Sequence, residues 1–316
     1  MDISFSWQEI EPVSIVRMIS NFTGAAMKSH WPSIVQYGIV LLATLGVDAQ
    51  TTSTPPNSSS WNLVWSDEFN GPNGSAPDSS KWVSETGGGG WGNQELEYYT
   101  ARPQNAVQQN GNLIITALKE KYTGPDGVKR DYTSARLKTE GKFSQAYGRF
   151  EARIKIPRGQ GIWPAFWMLG DDIEQVGWPT CGEIDIMENI GKEPSTVHAT
   201  IHGPGYSGDK GIGDPYALAG DQRFADDFHI YAIEWEPTAI RFYVDDHLYS
   251  TRTPADMPKG TKWVYNHPFF LLLNVAVGGG WPGNPDETSP YPQTMLVDYV
   301  RVYSLPHVTI AAPAQQ

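Results

Sequence analysis

Three carboxylates lie close together in the segment CGEIDIMENIG, which spans residues 181–191. Glu183, Asp185 and Glu188 are interspersed there with isoleucine and methionine, which are typical of a buried strand. Burying a charge without a partner is costly in free energy, so this composition is unusual for a strand of the core. The segment therefore predicts a strand with one apolar face and one face that carries chemistry.

The spacing of these acids predicts a local irregularity in the strand. Strand alternation puts Glu183 and Asp185 on one face and the two isoleucines next to Asp185 on the other. Strict alternation would then turn Glu188 toward the core. A β-bulge inserts one extra residue into the strand, so every side chain after it points to the opposite face from the one that strict alternation would give. We therefore predict a bulge around residues 186–187, with Met187 present so that Glu188 returns to the acidic face.

Three carboxylates on one face repel one another, so at least one should keep its proton to unusually high pH. An ionised carboxylate beside a protonated one suits the cleavage of a glycosidic bond. The first attacks or stabilises the anomeric carbon, and the second protonates the leaving oxygen. The middle acid can share a proton with the nucleophile, so the cluster would titrate as a unit. A Ca²⁺ or Mg²⁺ site and an edge strand with a solvated acidic face remain open at this stage.

Composition narrows the possible ligands. The chain has 316 residues and a formal net charge of −12. Phosphate binding needs clustered Lys and Arg, so this charge argues against nucleic acid as a partner. The chain has 12 tryptophans, which suit a carbohydrate ligand because apolar sugar faces stack on indole rings, although core packing also uses them. The single cysteine, Cys181, excludes an internal disulfide and is expected to be a small buried residue.

Period-two alternation of apolar and polar residues recurs along the chain and predicts an all-β fold. The clearest strand candidates are residues 149–156, 239–246 and 295–303. Turn sequences such as Asp245-Asp246 separate these runs, and the Gly-rich segment 203–220 is predicted to be a long surface loop. Many short strands with frequent turns favour a sandwich or jelly roll in one domain.

The N-terminal region has the pattern of an export signal. From Met27 the chain has a basic start at Lys28, an apolar run over 38–47 and a small-x-small sequence before Gln50. The run is too short to span a membrane, which needs ~20 apolar residues. We hypothesise that translation starts at Met27. The predicted organisation is an over-extended reading frame at 1–26, a signal peptide at 27–49, a Ser/Thr/Pro-rich tether at 50–60, the catalytic domain at 61–304 and a flexible tail at 305–316.

Several further motifs accompany the acidic segment, and together they give the chain a family resemblance. With them, the chain resembles glycoside hydrolase family 16, and more narrowly its bacterial laminarinase-like endo-β-1,3-glucanases. The resemblance implies a β-jelly roll sandwich of two curved antiparallel sheets with a concave substrate cleft, and chemistry that retains the anomeric configuration. The motifs that carry it are WSDEFNG (65–71), WGNQELEYYT (91–100), GIWPAFWMLG (161–170), GEIDIMEN (182–189), HATIHG (198–203), FLLLNVAVGGGWPGNP (270–285) and VDYVRVY (297–303).

The resemblance also implies roles for individual residues. Glu183 would be the nucleophile, Glu188 the general acid/base and Asp185 the assisting residue between them. No cofactor is expected for catalysis. A structural Ca²⁺ would use Glu68, the backbone carbonyl of Gly111 and Asp298. The residues expected to bind substrate are Asn93, Arg136, Trp163, Trp167, Trp178 and His202. Without the resemblance, Trp163 and Trp167 are equally consistent with core packing.

The leading hypothesis is a secreted, monomeric endo-hydrolase of β-1,3-glucan or mixed β-1,3-1,4-glucan. Its partner would be the polysaccharide alone, without nucleic acid and without a membrane once the signal peptide is removed. A lectin-like module that binds carbohydrate without cleaving it is one alternative. Agarose or carrageenan as substrate is another, although the net charge of −12 disfavours polyanions. Transglycosylation as a side activity also stays open.

Overall fold

The computed structural model describes residues 61–304. The predictions for residues 1–60 and 305–316, including the signal peptide, the tether and the tail, lie outside the described residues. Within 61–304, none of the helices is long and apolar enough to cross a membrane.

The described chain consists almost entirely of β-strands joined by turns. It has one short helix, α1 (Ile173–Val176), and single 3₁₀ turns at Gly208–Lys210 and Pro254–Asp256. The strands are β1 (Asn62–Asp67), β2 (Val83–Glu85), β3 (Glu97–Tyr99), β4 (Ala106–Gln109), β5 (Asn112–Thr123), β6 (Lys129–Ser134), β7 (Arg136–Lys138), β8 (Gly148–Lys155), β9 (Ile162–Gly170), β10 (Glu183–Glu188), β11 (Thr196–His202), β12 (Ile212–Ala217), β13 (His229–Glu236), β14 (Ala239–Val244), β15 (His247–Arg252), β16 (Phe269–Val277) and β17 (Gln293–Ser304).

These strands form two sheets. The larger sheet has ten strands in the order β15-β14-β13-β8-β17-β5-β6-β3, with β1 paired to β17 and β4 paired to β5. The smaller sheet has seven strands in the order β12-β11-β10-β9-β16-β7-β2. Neighbouring strands in the described chain are antiparallel, apart from β3 and β6, which run parallel. The prediction of an all-β jelly-roll sandwich is confirmed.

A single large apolar core lies where the two sheets face each other. It takes alternate residues from the strands of both sheets, such as Phe150 and Ile154 in β8 and Leu271 and Leu273 in β16. All nine residues of β16 are buried, because this strand lies inside the smaller sheet and both of its faces are covered. The core therefore fixes the strands of the smaller sheet, and with them the opposite face of that sheet.

The predicted strands and turns are largely present. The candidates at 149–156, 239–246 and 295–303 correspond to β8, β14 and β17. The β14–β15 hairpin turns at Asp245 and Asp246, whose φ values of 49° and 63° lie in the left-handed region that short Asx side chains tolerate. The Asp245 carboxylate also accepts a hydrogen bond from the backbone N–H of Ile230 at 2.8 Å.

The prediction of a continuous loop over 203–220 is wrong. Residues 212–217 form β12, the edge strand of the smaller sheet, which pairs with β11 from Ile201–Ile212 to Thr196–Ala217. Gly213 lies within this strand, and a side chain there would press against the backbone of Ala199. Glycine is therefore required for close packing at this edge, and its presence does not indicate a loop.

Candidate active site

The acidic segment forms β10, an inner strand of the smaller sheet between β9 and β11. Ile184 and Ile186 belong to the core between the sheets. Glu183, Asp185 and Glu188 lie on the other side of the strand, which we call the acidic face. The interpretation of this segment as a solvated edge strand is therefore wrong.

The bulge predicted near Met187 is present. Toward β9, Asp185 lies opposite Trp167, and the pairing then shifts so that Glu188 lies opposite Ala165. Toward β11 the pairing shifts over the same stretch. Ile186 and Met187 are consecutive, yet both are buried in the core, at 1% and 0% exposure. The extra residue is thus absorbed on the apolar side, and Glu188 rejoins the other two acids.

Burial and mutual repulsion raise the pKa values of these acids. Asp185 is 2% exposed, whereas Glu183 and Glu188 are half-buried. Burial and the charge of Asp185 raise the pKa of Glu183 to about 8. Burial raises the pKa of Asp185 to about 7. Burial and the charges of the other two acids raise the pKa of Glu188 well above its usual range. The cluster therefore retains protons near neutral pH, which a general acid requires.

Two indole N–H groups hold the outer carboxylates of the cluster. Trp178 Nε1 donates a hydrogen bond to Glu183 Oε2 at 2.5 Å. Trp163 Nε1 donates to Glu188 Oε1 at 3.0 Å. Each bond fixes the orientation of a carboxylate and favours its ionised form, which opposes part of the rise in pKa. Both tryptophans are among the residues expected to bind substrate. The sequence did not indicate that their indole N–H groups would bind the carboxylates.

His202 contacts the middle acid. Its Nε2 atom lies 3.1 Å from Asp185 Oδ2. The histidine stands opposite Glu183 in the β10–β11 pairing, which puts it on the acidic face. Gly211 packs against the ring, and a Cβ atom at that position would lie 2.3 Å from His202 Cε1. His202 is therefore held against the carboxylates, where a protonated imidazole would lower the pKa of Glu183.

Arg136 and Trp167 lie together beside the acids. The Arg136 guanidinium carbon is 4.7 Å from the ring centroid of Trp91 and also 4.7 Å from that of Trp167. The same guanidinium pairs with the Glu85 carboxylate. Cation–π contacts on two rings and an ion pair hold this arginine in place.

A chain of hydrogen bonds connects Trp167 to Asn93, which is exposed. Trp167 Nε1 donates to Asn274 Oδ1 at 2.7 Å, and Asn274 Nδ2 donates to Tyr99 Oη at 3.2 Å. The Tyr99 hydroxyl donates to Glu95 at 2.9 Å, and the other oxygen of Glu95 accepts from Asn93 Nδ2 at 3.0 Å. The sequence did not indicate a function for Asn274, Tyr99 and Glu95, because this series of hydrogen bonds depends on contacts between segments that are distant in sequence.

Comparison with known proteins gives the family to which this architecture belongs. The family model of Glycosyl hydrolases family 16 matches residues 93–301. The chain belongs to glycosyl hydrolase family 16. It is 46% identical over 259 residues to a beta-glucanase of Rhodothermus marinus, covering 77% of this chain and 85% of that protein.

Solved structures of a laminarinase and an endo-beta-1,3-glucanase are similar to this chain. The laminarinase catalytic domain of Thermotoga maritima matches with a TM-score of 0.73 and 52% identity, covering 77% of this chain and 98% of that one. The endo-beta-1,3-glucanase of Pyrococcus furiosus matches with a TM-score of 0.74 and 52% identity, covering 78% and 95%.

Trp281 is a further aromatic residue at this family 16 site, and sequence analysis assigned it no function. It is 37% exposed, and its ring lies 5.4 Å from that of Trp163 at an angle of 87°. The ring of His198, which stands opposite Glu188, lies 5.0 Å from that of Trp281 at an angle of 74°. Backbone hydrogen bonds from Gly278 and Gly280 to two neighbouring segments hold the loop that carries it. The WPG sequence within GGGWPGNP was the available signal for this residue.

The residues expected to bind calcium lie away from the acidic face, on or beside the larger sheet. Glu68 binds Arg301 through both of its oxygens, at 2.9 and 2.8 Å. Asp298 accepts a hydrogen bond from Arg153 at 2.8 Å. Gly111 lies in the β4–β5 turn with a φ of 73°. Both carboxylates are occupied by guanidinium groups, an arrangement that does not fit a bound cation, and the calcium site stays a prediction.

Cys181 precedes the acidic strand and is fully buried, as the sequence predicts. Burial, reinforced by the charge of Asp172, raises the pKa of the thiol to about 11. The thiol is therefore protonated at neutral pH and unreactive.

The raised pKa of Glu183 predicts a pH-dependent effect of Glu183→Gln on stability. The folded protein binds this proton more tightly than the unfolded chain, so stability from this group is full below pH about 4.5 and is lost as pH rises through about 8. The amide cannot ionise, and we expect the variant and the wild type to melt together at pH 4. At pH 9 the variant should melt several degrees higher, since ~1 kcal/mol corresponds to roughly 2–4 °C.

Thermal melts at both pH values measure this difference, with Glu174→Gln on the exposed helix α1 as the matched control. An equal Tm difference at pH 4 and pH 9 would contradict the proposed cause.

Proposed function

We propose that this chain hydrolyses internal β-1,3 linkages of glucans, including mixed β-1,3-1,4-glucans, by double displacement with retention of anomeric configuration. One observation carries the proposal: the bulge in β10 puts Glu183 and Glu188 on one face with Asp185 between them, and an indole N–H holds each outer carboxylate. Two carboxylates with different partners suit a nucleophile and a general acid.

The first step forms a covalent intermediate. Glu188 enters protonated and gives its proton to the glycosidic oxygen while the Glu183 carboxylate attacks the anomeric carbon. The bond between that carbon and the leaving oxygen breaks, and a glycosyl ester of Glu183 forms. In the second step Glu188, now ionised, takes a proton from water. The water oxygen attacks the anomeric carbon, and Glu183 leaves as a carboxylate.

Asp185 can accept the proton of Glu183 when the nucleophile must be ionised. The charge of Asp185 raises the pKa of Glu183, so these two neighbouring carboxyls on the acidic face can share one proton. Transfer of that proton to Asp185 leaves Glu183 ionised without releasing a proton to solvent. His202 Nε2 lies 3.1 Å from Asp185 Oδ2, so a protonated imidazole would favour the ionised form of this acid by charge alone.

The charges at the site favour a neutral polysaccharide. The Arg136 guanidinium lies beside Trp167, but it already pairs with Glu85, so its charge is balanced. The acids themselves repel sulfate and carboxylate groups of a substrate. The indole rings of Trp163, Trp167, Trp178 and Trp281 provide apolar surfaces that suit glucose rings. These features support a neutral polysaccharide such as glucan over carrageenan, which carries sulfate groups.

Substitution of the two outer acids tests the roles. Glu183→Ala and Glu188→Ala should each lower kcat on laminarin by at least roughly 10³-fold, because each removes a group that reacts with the substrate. With an activated aryl β-glucoside of laminari-oligosaccharide, azide should restore turnover in both variants. The product should be the α-glycosyl azide for Glu183→Ala and the β-glycosyl azide for Glu188→Ala, as NMR would show.

Glu174→Ala serves as the control and should turn over laminarin at the wild-type rate. The opposite pair of azide products would exchange the two roles. A wild-type protein that binds laminarin without releasing reducing ends would instead support the lectin-like alternative.

Trp281→Ala should weaken substrate binding more than chemistry. Loss of one stacking surface removes roughly 0.5–1.5 kcal/mol, which corresponds to about a 2- to 10-fold rise in KM with kcat nearly unchanged. Initial rates on laminari-oligosaccharides of increasing length measure this effect, and Trp281→Phe should restore most of the binding. Leu248→Ala, which also removes an exposed apolar side chain but from β15, should have no effect. A fall in kcat alone would show that Trp281 orients Trp163 and does not bind sugar.

We also propose that the domain acts outside the cell. A polymeric glucan cannot cross a membrane, and residues 27–49 have the pattern of a signal peptide. N-terminal sequencing of exported protein should find Gln50 first. A first residue well upstream would contradict the proposal.

A further inference from the structure

Three potential metal ligands from β10 and β11 meet on the acidic face. One atom each from Glu183, Asp185 and His202 lies within 4.8 Å of the other two. Two of these donors are carboxylate oxygens and one is an imidazole nitrogen. Within residues 61–304 no other group of three such side chains comes this close.

The distance between two of these donors suits a common metal ion. Zinc binds nitrogen and oxygen at about 2.0–2.2 Å with tetrahedral angles, so two of its ligands lie about 3.4 Å apart. His202 Nε2 and Asp185 Oδ2 are 3.1 Å apart. A shift of a few tenths of an ångström would bring them to that separation.

His202 Nε2 and Asp185 Oδ2 do not form a hydrogen bond with each other. Asp185 is 2% exposed, and its Oδ2 atom has no hydrogen-bond partner among the described residues. His202 is close enough, but the ring does not align its Nε2 with that oxygen. An unpaired carboxylate oxygen at this depth is costly and faces a ring nitrogen that can act as a ligand.

We propose that Glu183, Asp185 and His202 bind one borderline divalent transition-metal ion, such as Zn²⁺ or Cu²⁺, and that this ion inhibits the enzyme. Imidazole with two carboxylates suits these ions, whereas Ca²⁺ and Mg²⁺ prefer six or more oxygen ligands. Water would complete the coordination. The inhibition, unlike the binding, rests on the proposed function: the ion occupies the lone pair with which Glu183 attacks the anomeric carbon.

The site should bind reversibly and with moderate affinity. Strong zinc sites fix the second ring nitrogen of each histidine with a hydrogen bond, and loss of such a bond typically costs 10- to 100-fold in affinity. The Nδ1 atom of His202 is buried and has no such partner among residues 61–304. A chelator should therefore remove the ion and restore activity.

The chain contains a matched control for this site. His267 Nε2 lies 3.1 Å from Asp172 Oδ1, and neither atom has a hydrogen-bond partner in the described chain. The nitrogen–oxygen distance of this pair is the same as in the proposed site, but no third ligand joins it among the described residues. Comparison of the two histidines separates a three-ligand site from an ordinary histidine–carboxylate contact.

Titration of the untagged protein with ZnCl₂ by calorimetry tests the proposal, with tryptophan fluorescence as a second readout because Trp178 donates to Glu183. We expect one Zn²⁺ per chain, an affinity loss of at least tenfold in His202→Gln and in Asp185→Asn, and wild-type affinity in His267→Gln. Zn²⁺ should inhibit laminarin hydrolysis competitively, EDTA should reverse the inhibition, and Ca²⁺ should not replace Zn²⁺.

Wild-type Zn²⁺ affinity in folded His202→Gln, or loss of binding in His267→Gln alone, would overturn the proposal. Circular dichroism confirms that each variant is folded. Calorimetry does not depend on catalysis, so a protein that binds Zn²⁺ as expected but leaves laminarin intact would refute the proposed function and retain the metal site.

Discussion

The cost of removing three carboxylates from water is the constraint around which this site is arranged. An apolar strand face, with Ile184, Ile186 and Met187 in the core, fixes the acids where solvent alone cannot stabilise their charges. Two indole N–H groups supply hydrogen bonds that water would otherwise provide to Glu183 and Glu188, whereas Asp185 Oδ2 has no hydrogen-bond partner among the described residues. The part of the desolvation free energy that these interactions do not offset raises the pKa values of the acids. A raised pKa keeps a carboxyl protonated near neutral pH, as a general acid requires.

The parts of this structure that depend on local sequence could be predicted. Alternation gave β8, β14 and β17, and the count of residues between the acids gave the bulge in β10. The wrong prediction of a loop over 203–220 arose because the structure there depends on a neighbouring strand and not on local sequence. β12 is a strand because β11 offers it an edge, and glycine there reflects close packing more than loop conformation.

The contacts of the site residues could not be predicted, because they depend on the register between strands. Trp163 and Glu188 are 25 positions apart, and only the β9–β10 pairing brings the indole N–H to the carboxylate. Trp281 is 118 positions from Trp163 (163 to 281), and its loop is held by backbone groups of other segments. The tryptophans in the sequence indicated sugar binding. That their indole N–H groups also donate hydrogen bonds to the catalytic carboxylates became visible only in the folded structure.

The last described strand, β17, lies inside the larger sheet, with β8 along one edge and β5 and β1 along the other. Asp67 in β1 pairs with Val300 in β17, 233 positions later. The larger sheet therefore cannot close during synthesis until the final strand has left the ribosome. Until then the facing edges of β5 and β8 lack their backbone partner, and unpaired edges in such slow, long-range closure favour aggregation of incomplete chains. The order of strands thus makes the last strand of the domain necessary for closing its larger sheet.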